Sequence, residues 1–320
     1  MNKWRHNTAL IRHAILIAVS SSVATVIIGC HAASKASQST VTSAPKSSKD
    51  VNYKGISFTF DTSLTPEVKA DTLPPVTDGK PCDIVPEHPA FTLVGYPRPR
   101  SMPKDEPHIR VFSLKAFREA VGIASDEDRK SVVYPKNPPD WRTYFDEEVR
   151  VLQALLNKQP KFEELKSFLA KVRSAEARQF SNFPQMPFLP MWEASQAFVA
   201  RPHYMRFKNG RGVFFLTQWN TETTQVTNDG LEYTFQGITD DGQYLVYAEF
   251  SATAPFLPND SDANVEAWNE KNYLLPQKSK AYQEYVKPIV GKLQALPEDQ
   301  FHPSLKLLEG LIESMQVHLN

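Results

Sequence analysis

Two tight-turn signals fix the kind of sheet this chain can build. Asn209-Gly210 stands between residues 196–208 and 212–219, and Asp240-Asp241-Gly242 stands between 231–238 and 243–251. Asn-Gly and Asp-Gly tolerate the positive φ angles of short hairpin loops, and strands joined that way run antiparallel. On the second hairpin Tyr233 and Phe235 point one way, as do Val246, Ala248 and Phe250. Val213-Phe214-Phe215-Leu216 is apolar on both faces, which predicts a central, covered strand. Residues 55–61 alternate Ile56, Phe58 and Phe60 with Ser57, Thr59 and Asp61, a half-buried strand; 67–73, 90–96 and 108–114 are further strands.

Helical spacing separates and follows these runs. Phe145, Val149, Leu152 and Leu156 make one apolar stripe, and Phe162, Leu165, Phe168, Leu169 and Val172 another. Residues 115–121 read as a short helix. Near the end, 282–296 and 304–317 are helical, the latter turning Leu305, Leu308, Leu311, Ile312 and Met315 inward. Pro288 should kink or divide the first of these, and Pro303 suits the start of the second. The expected architecture is α+β: an antiparallel sheet of about seven to eight strands, its apolar face backed by amphipathic helices.

The start of the chain says where it resides. Lys3, Arg5 and Arg12 make a positive start to a largely apolar run over 11–28, Arg12 lying at its beginning, with no acidic residue before Cys30. This is a secretory signal layout. Its end, Ile27-Ile28-Gly29-Cys30, resembles a bacterial lipobox. That resemblance implies cleavage after Gly29, a diacylglyceryl thioether on Cys30, and acylation such as palmitate at the new amine. Each buried methylene contributes about 0.8 kcal/mol, so two or three chains anchor firmly where one does not. The run also approaches the roughly 20 apolar residues of a membrane span, so an uncleaved helix stays open as an alternative, as does a cleaved soluble product. His31 follows the cysteine in place of the Asp associated with inner-membrane retention.

Residues 30–50 are mostly Ser, Thr, Ala and Lys after the cysteine, too poor in apolar groups to order themselves, and read as a tether. Residues 51–320 then form a single domain, with 1–29 as the signal peptide. The chain holds 36 basic and 36 acidic residues; losing Lys3, Arg5 and Arg12 leaves 33 against 36, a formal charge of −3. That slightly acidic balance argues against a nucleic-acid partner. The 25 prolines lie between strongly patterned segments and suggest ordered connections. With Cys30 lipidated, Cys82 has no partner in the chain, which excludes a disulfide framework and points to a buried thiol.

The strand and helix order, with the opening Gly55-Ile56-Ser57-Phe58, looks like PsbP/Mog1-type domains, which implies an α-β-α layout of exported or interaction proteins. Pro187-Phe188-Leu189-Pro190, Leu216-Thr217-Gln218 and Tyr233-Thr234-Phe235-Gln236-Gly237 are similar to segments of uncharacterised bacterial lipoproteins, a resemblance that brings no activity with it.

The sequence has no G-x-S-x-G, phosphate-binding glycine loop, H-E-x-x-H or C-x-x-C. Asp260, Asp262 and Asn264 fit the first three ligand positions of a calcium loop, but Val265 replaces the glycine and Lys271 the final glutamate. A helix start is the better reading, and no metal or other cofactor is expected. Arg201, Arg206, Lys208 and Arg211 cluster around Asn209-Gly210 with His203, Tyr204 and Phe207 between them. They read either as a patch for anionic glycans, lipid headgroups or an acidic partner, or as a charged edge that blocks sheet-to-sheet association. Glu87-His88 and His108 could supply acid–base chemistry, and Trp192-Glu193 with Trp219 could line a pocket. The expected function is a membrane-tethered, non-enzymatic binding or accessory module of the cell envelope, with an exported, hydrolase-like enzyme or a structural member of an envelope complex as alternatives.

Overall fold

The computed structural model describes residues 47–77, 83–97, 107–128, 141–174, 186–187, 189–190, 194–220, 224–260 and 280–319. All lie within one compact unit, Pro45–Asn320. The strands are β1 (Ser48–Tyr53), β2 (Ile56–Asp61), β3 (Glu67–Leu73), β4 (His88–Val94), β5 (His108–Ser113), β6 (Ser195–Gln196), β7 (Ala200–Phe207), β8 (Gly210–Thr217), β9 (Trp219–Asn220), β10 (Glu232–Thr239), β11 (Tyr244–Ser251) and β12 (Gln316–Val317). The helices are α1 (Leu114–Asp128), α2 (Trp141–Lys158), α3 (Phe162–Val172), α4 (Lys280–Ala295) and α5 (Leu305–Glu313). The class is α+β.

Seven strands form one antiparallel sheet in the order β3-β4-β5-β11-β10-β8-β7. Its side chains alternate between two cores. On one face Phe91, Val111, Phe250, Tyr233, Phe235 and Phe214 meet the small sheet β1-β2-β12 and helices α4 and α5. On the other, Phe112, Leu245, Ile238, Val213 and Phe215 meet Phe117 of α1, Leu152 and Leu155 of α2, and Leu165 of α3. Both faces are therefore covered, where the sequence led us to expect helices on one. Val213 to Leu216 are fully buried as their double-sided apolarity requires, although β8 lies one strand from the edge rather than in the middle.

Local differences have local causes. The first hairpin turns at Lys208 and Asn209, with Gly210 already paired to Phe207. A Cβ on Gly210 would lie 2.0 Å from the Phe207 ring and 2.7 Å from the Ile238 carbonyl, so close packing, not the turn, demands glycine. Asn209 instead uses its side chain as a strand surrogate, donating to the Val317 carbonyl at 2.6 Å and accepting from the Val317 amide at 3.0 Å. β1 begins at Ser48, inside the segment read as tether; it lacks apolar alternation and is held by its ladder to β2. The turn between them, Lys54-Gly55, has φ of 47° and 76°, the positive pair of a type I′ loop. α4 runs unbroken through Pro288, which faces solvent where the freed carbonyl can meet water, while Tyr282, Val286 and Leu293 hold the helix down. α5 ends at Glu313, and Val317, expected within that helix, instead pairs with Ile56.

Candidate functional site

β7 is an edge strand, and it is irregular where it matters. A bulge lies between Ala200 and His203, with Arg201 held at φ 50°. A non-glycine residue in that region is strained and persists only where its surroundings hold it. Here they do. The Arg201 amide donates to Gln294 Oε1, and its guanidinium donates to the carbonyls of Gln294 (3.1 Å) and Leu296 (2.5 Å), the unpaired C-terminal carbonyls of α4. It also reaches Glu298 at 3.3 Å and covers the Phe301 ring. Arg201 thus caps a helix from a strand bulge.

Beside this bulge opens a cleft of about 500 Å³ lined by Arg201, His203, Tyr204, Tyr233, Glu298 and Glu309, with Gln159, Pro202 and Gln294 at its margin. Its centre is one carboxylate. Glu309 on α5 accepts from the buried Tyr233 hydroxyl at 2.6 Å and from His203 Nδ1 at 3.0 Å. The second bond fixes the proton on Nδ1 and leaves Nε2 of the 46% exposed imidazole to whatever enters the cleft. The Glu309 hydrogen bond raises the His203 pKa, outweighing burial. Burial alone would raise the Glu309 carboxyl, but the bonds from His203 and Tyr233 and the nearby positive charges hold it below the usual glutamate range. Burial pushes the phenols of Tyr233 and Tyr204 up, so both stay neutral donors.

The four cations of the hairpin have different surroundings. Arg201 is committed to α4. Arg206 and Arg211 stand directly opposite one another across the strands, and Arg206 is offset by Asp240 at 2.7 Å. Lys208 is exposed at the turn. The bulge, Pro202 and these charges are the features that keep an edge strand from pairing with another sheet. Tyr204 donates to the Pro160 carbonyl at 3.2 Å, and Phe207 is core.

The other candidates scatter. Glu87 is exposed while His88 is buried, its Nδ1 against the Pro86 carbonyl at 2.8 Å and its ring on Phe112. Burial lowers the His88 pKa, with Arg110 and His108 close enough to lower it further. Trp219 lies in the two-stranded ribbon β6-β9. Cys30, Cys82, Trp192, Glu193, Asp262, Asn264, Val265 and Lys271 lie outside the described residues; Asp260 is within them. Among the described residues no cluster of His, Cys, Asp and Glu could hold a metal, and no helix is long and apolar enough to cross a membrane. Sequence reasoning missed Tyr233, Glu298 and Glu309 as site residues. Tyr233 carries the ordinary pattern of a core strand, and Glu309 that of the polar side of a helix, so their meeting depends on packing alone.

No protein-family model, curated protein or solved structure matches the chain.

Proposed function

We propose that the protein is an extracytoplasmic lipoprotein, tethered to a bacterial membrane through Cys30, that serves as a non-enzymatic binding or accessory module of the cell envelope and takes an acidic group of its ligand or partner at the edge cleft. The anchor rests on the basic start, the apolar run and Ile27-Ile28-Gly29-Cys30. One observation carries the binding reading: Glu309 favours the imidazolium form of His203. A protonated ring presents an N–H to an anion and cannot accept a proton as a base. The remaining charged groups of the cleft are occupied with one another or with α4, and none of its lining residues is a serine, threonine or cysteine nucleophile. The same dyad favours one second reading, an exported enzyme in which His203 donates a proton to a leaving group.

Metabolic labelling with a palmitate analogue tests the anchor: label should be lost, and the protein released, in Cys30→Ala. A chain that keeps Met1 and fractionates with the cytosol overturns it. Citrate, a small polycarboxylate probe, should shift the His203 ring resonances, and His203→Gln should weaken its binding by about tenfold, the worth of a charge-assisted hydrogen bond. Unchanged binding in that variant removes the cleft. Loss of turnover on an envelope substrate with binding retained would favour the enzyme.

A further inference from the structure

The face of the sheet beneath α1, α2 and α3 changes character along its length. At one end Phe112, Leu245 and Ile238 pack against the helices. At the other, six polar side chains stand in two cross-strand rows: Arg110, Tyr247 and Gln236 in one, His108, Glu249 and Thr234 in the next, on β5, β11 and β10 respectively. The intervening residues Ile109, Ala248 and Phe235 belong to the opposite core, so all six share one face. Glu232 continues the run along β10.

This polarity is deeply buried. Thr234 is 0% exposed, Gln236 and Tyr247 1%, Glu232 6% and His108 7%; only Arg110 and Glu249 are partly open to solvent. Tyr247 donates to Glu249 Oε2 at 2.8 Å, and Gln236 Nε2 donates to the Leu189 carbonyl at 3.0 Å. Thr234 Oγ1, Gln236 Oε1 and Arg110 Nε are buried and make no hydrogen bond. Buried polar groups without partners carry their full desolvation penalty, and a chain tolerates them where they serve a function.

The charges are also sorted. The cation Arg110 lies on β5, with the imidazoles of His108 on the same strand and His88 on β4 beside it, and the acids lie on β11 and β10 (Glu249, Glu232). Neighbouring strands are about 4.8 Å apart, so the two signs face each other across one to two strand spacings. The unpartnered atoms follow the same division: a donor, Arg110 Nε, on the basic side, an acceptor, Gln236 Oε1, on the acidic side, and a hydroxyl able to play either role in Thr234.

We propose that this grid is an interior binding site for a small zwitterion of the free amino-acid class, its carboxylate on Arg110 and its ammonium toward Gln236 Oε1 and Glu249, with Thr234 Oγ1 completing the hydrogen bonds. The site lies on the opposite face of the sheet from the Tyr233–Glu309 contact and does not depend on the reading of the edge cleft. A chain of ordered waters would satisfy the same three atoms but would have no use for the separation of charge.

The test is a thermal-shift screen of the full-length protein in detergent against the proteinogenic L-amino acids one at a time, followed by calorimetry on those that respond. At least one should raise Tm and bind one to one. Arg110→Gln should weaken that binding roughly tenfold or more, as loss of a charged hydrogen bond does. Should Arg110→Gln fail to fold, Thr234→Val and Gln236→Met keep the volume while removing the unpartnered oxygens; each should weaken binding with the near-ultraviolet dichroism unchanged. No response to any amino acid, or a response equal in wild type and these variants, overturns the proposal and leaves the grid as hydrated structure.

Discussion

The two faces of the seven-stranded sheet solve the burial problem differently. On the side of α4, α5 and the small sheet, aromatic rings fill the space and ask for nothing else. Phe214 stacks on Tyr233 with centroids 4.4 Å apart and meets Phe235 at 4.8 Å and Phe250 at 6.3 Å. Tyr233, the polar member, has its hydroxyl settled on Glu309. On the side of α1 to α3 an apolar half is joined to a half built of Arg, His, Glu, Gln and Thr, and a carboxylate–guanidinium pair, Glu148 with Arg173, is buried between α2 and the end of α3. One face supplies cohesion at low risk. The other holds polar groups whose cost depends on every partner being present.

The comparison breaks most visibly at its strongest points. Phe214→Ala removes a fully buried ring from the centre of the aromatic stack and should cost about 3–5 kcal/mol in urea unfolding. Glu148→Ala should cost about 3–5 kcal/mol for the opposite reason, since it strands Arg173 in the interior. Burial would lower the Arg173 pKa, but its bonds to Glu148 reverse that; without Glu148 the guanidinium is so strong a base that it stays charged, now in the interior with its carboxylate gone. Replacing the pair together, Glu148→Leu with Arg173→Met, should recover most of the loss. A double variant as unstable as the single one would mean that the pair contributes more than mutual neutralisation.

The apolar face was far more legible in the sequence than the polar one. Alternation placed Tyr233, Phe235, Val246, Ala248 and Phe250 on one side, and hydrophobic burial enforces such alternation along each strand. The stripes of α2 and α3 were legible for the same reason: Phe145, Leu152 and Leu156 are buried, and so are Leu165 and Leu169. What alternation could not supply was pairing between distant segments. β11 lies beside β5, and β12 beside β2, because of packing that leaves no periodic trace. Glu309 meets His203 across 106 residues of chain. His108 and His88 could be noted as single residues, but their gathering around Arg110 needs the register of β4, β5 and β11. Arg201 reads in the sequence as one of four clustered hairpin cations; its role as a cap for α4 follows from a bulge that sequence pattern does not encode.

A smaller effect concerns pH at the boundary between the regions. The folded pKa of His203 lies above its unfolded value of 6.5. Its contribution is therefore fully present below pH 6.5 and is lost as pH rises through the raised folded value. Glu309 is shifted the other way from 4.5, so its share is present above that pH and fades as pH falls through its depressed value. The pair contributes most between these limits. His203 is nearly half exposed, so the effect should be about 0.2–1 kcal/mol. The stability difference between wild type and His203→Gln should be largest near pH 5.5 and shrink toward pH 9. A difference that grows with pH would contradict the hydrogen bond to Glu309.

The smallest expected change separates the faces most sharply. Thr234→Val keeps the shape of a fully buried side chain and deletes a hydroxyl that makes no hydrogen bond. On the aromatic face any such edit would remove packing. Here it removes an unpaid desolvation penalty, so the ligand-free protein should be unchanged or stabilised by up to about 1 kcal/mol in urea unfolding. A residue that natural sequence keeps against its own stability is expected where function sets the choice. The same variant should therefore be the one that gains stability and loses amino-acid binding. A loss of stability beyond about 1 kcal/mol would show that Thr234 Oγ1 has an ordered partner in solution, and that this end of the sheet is held together by polar contacts after all.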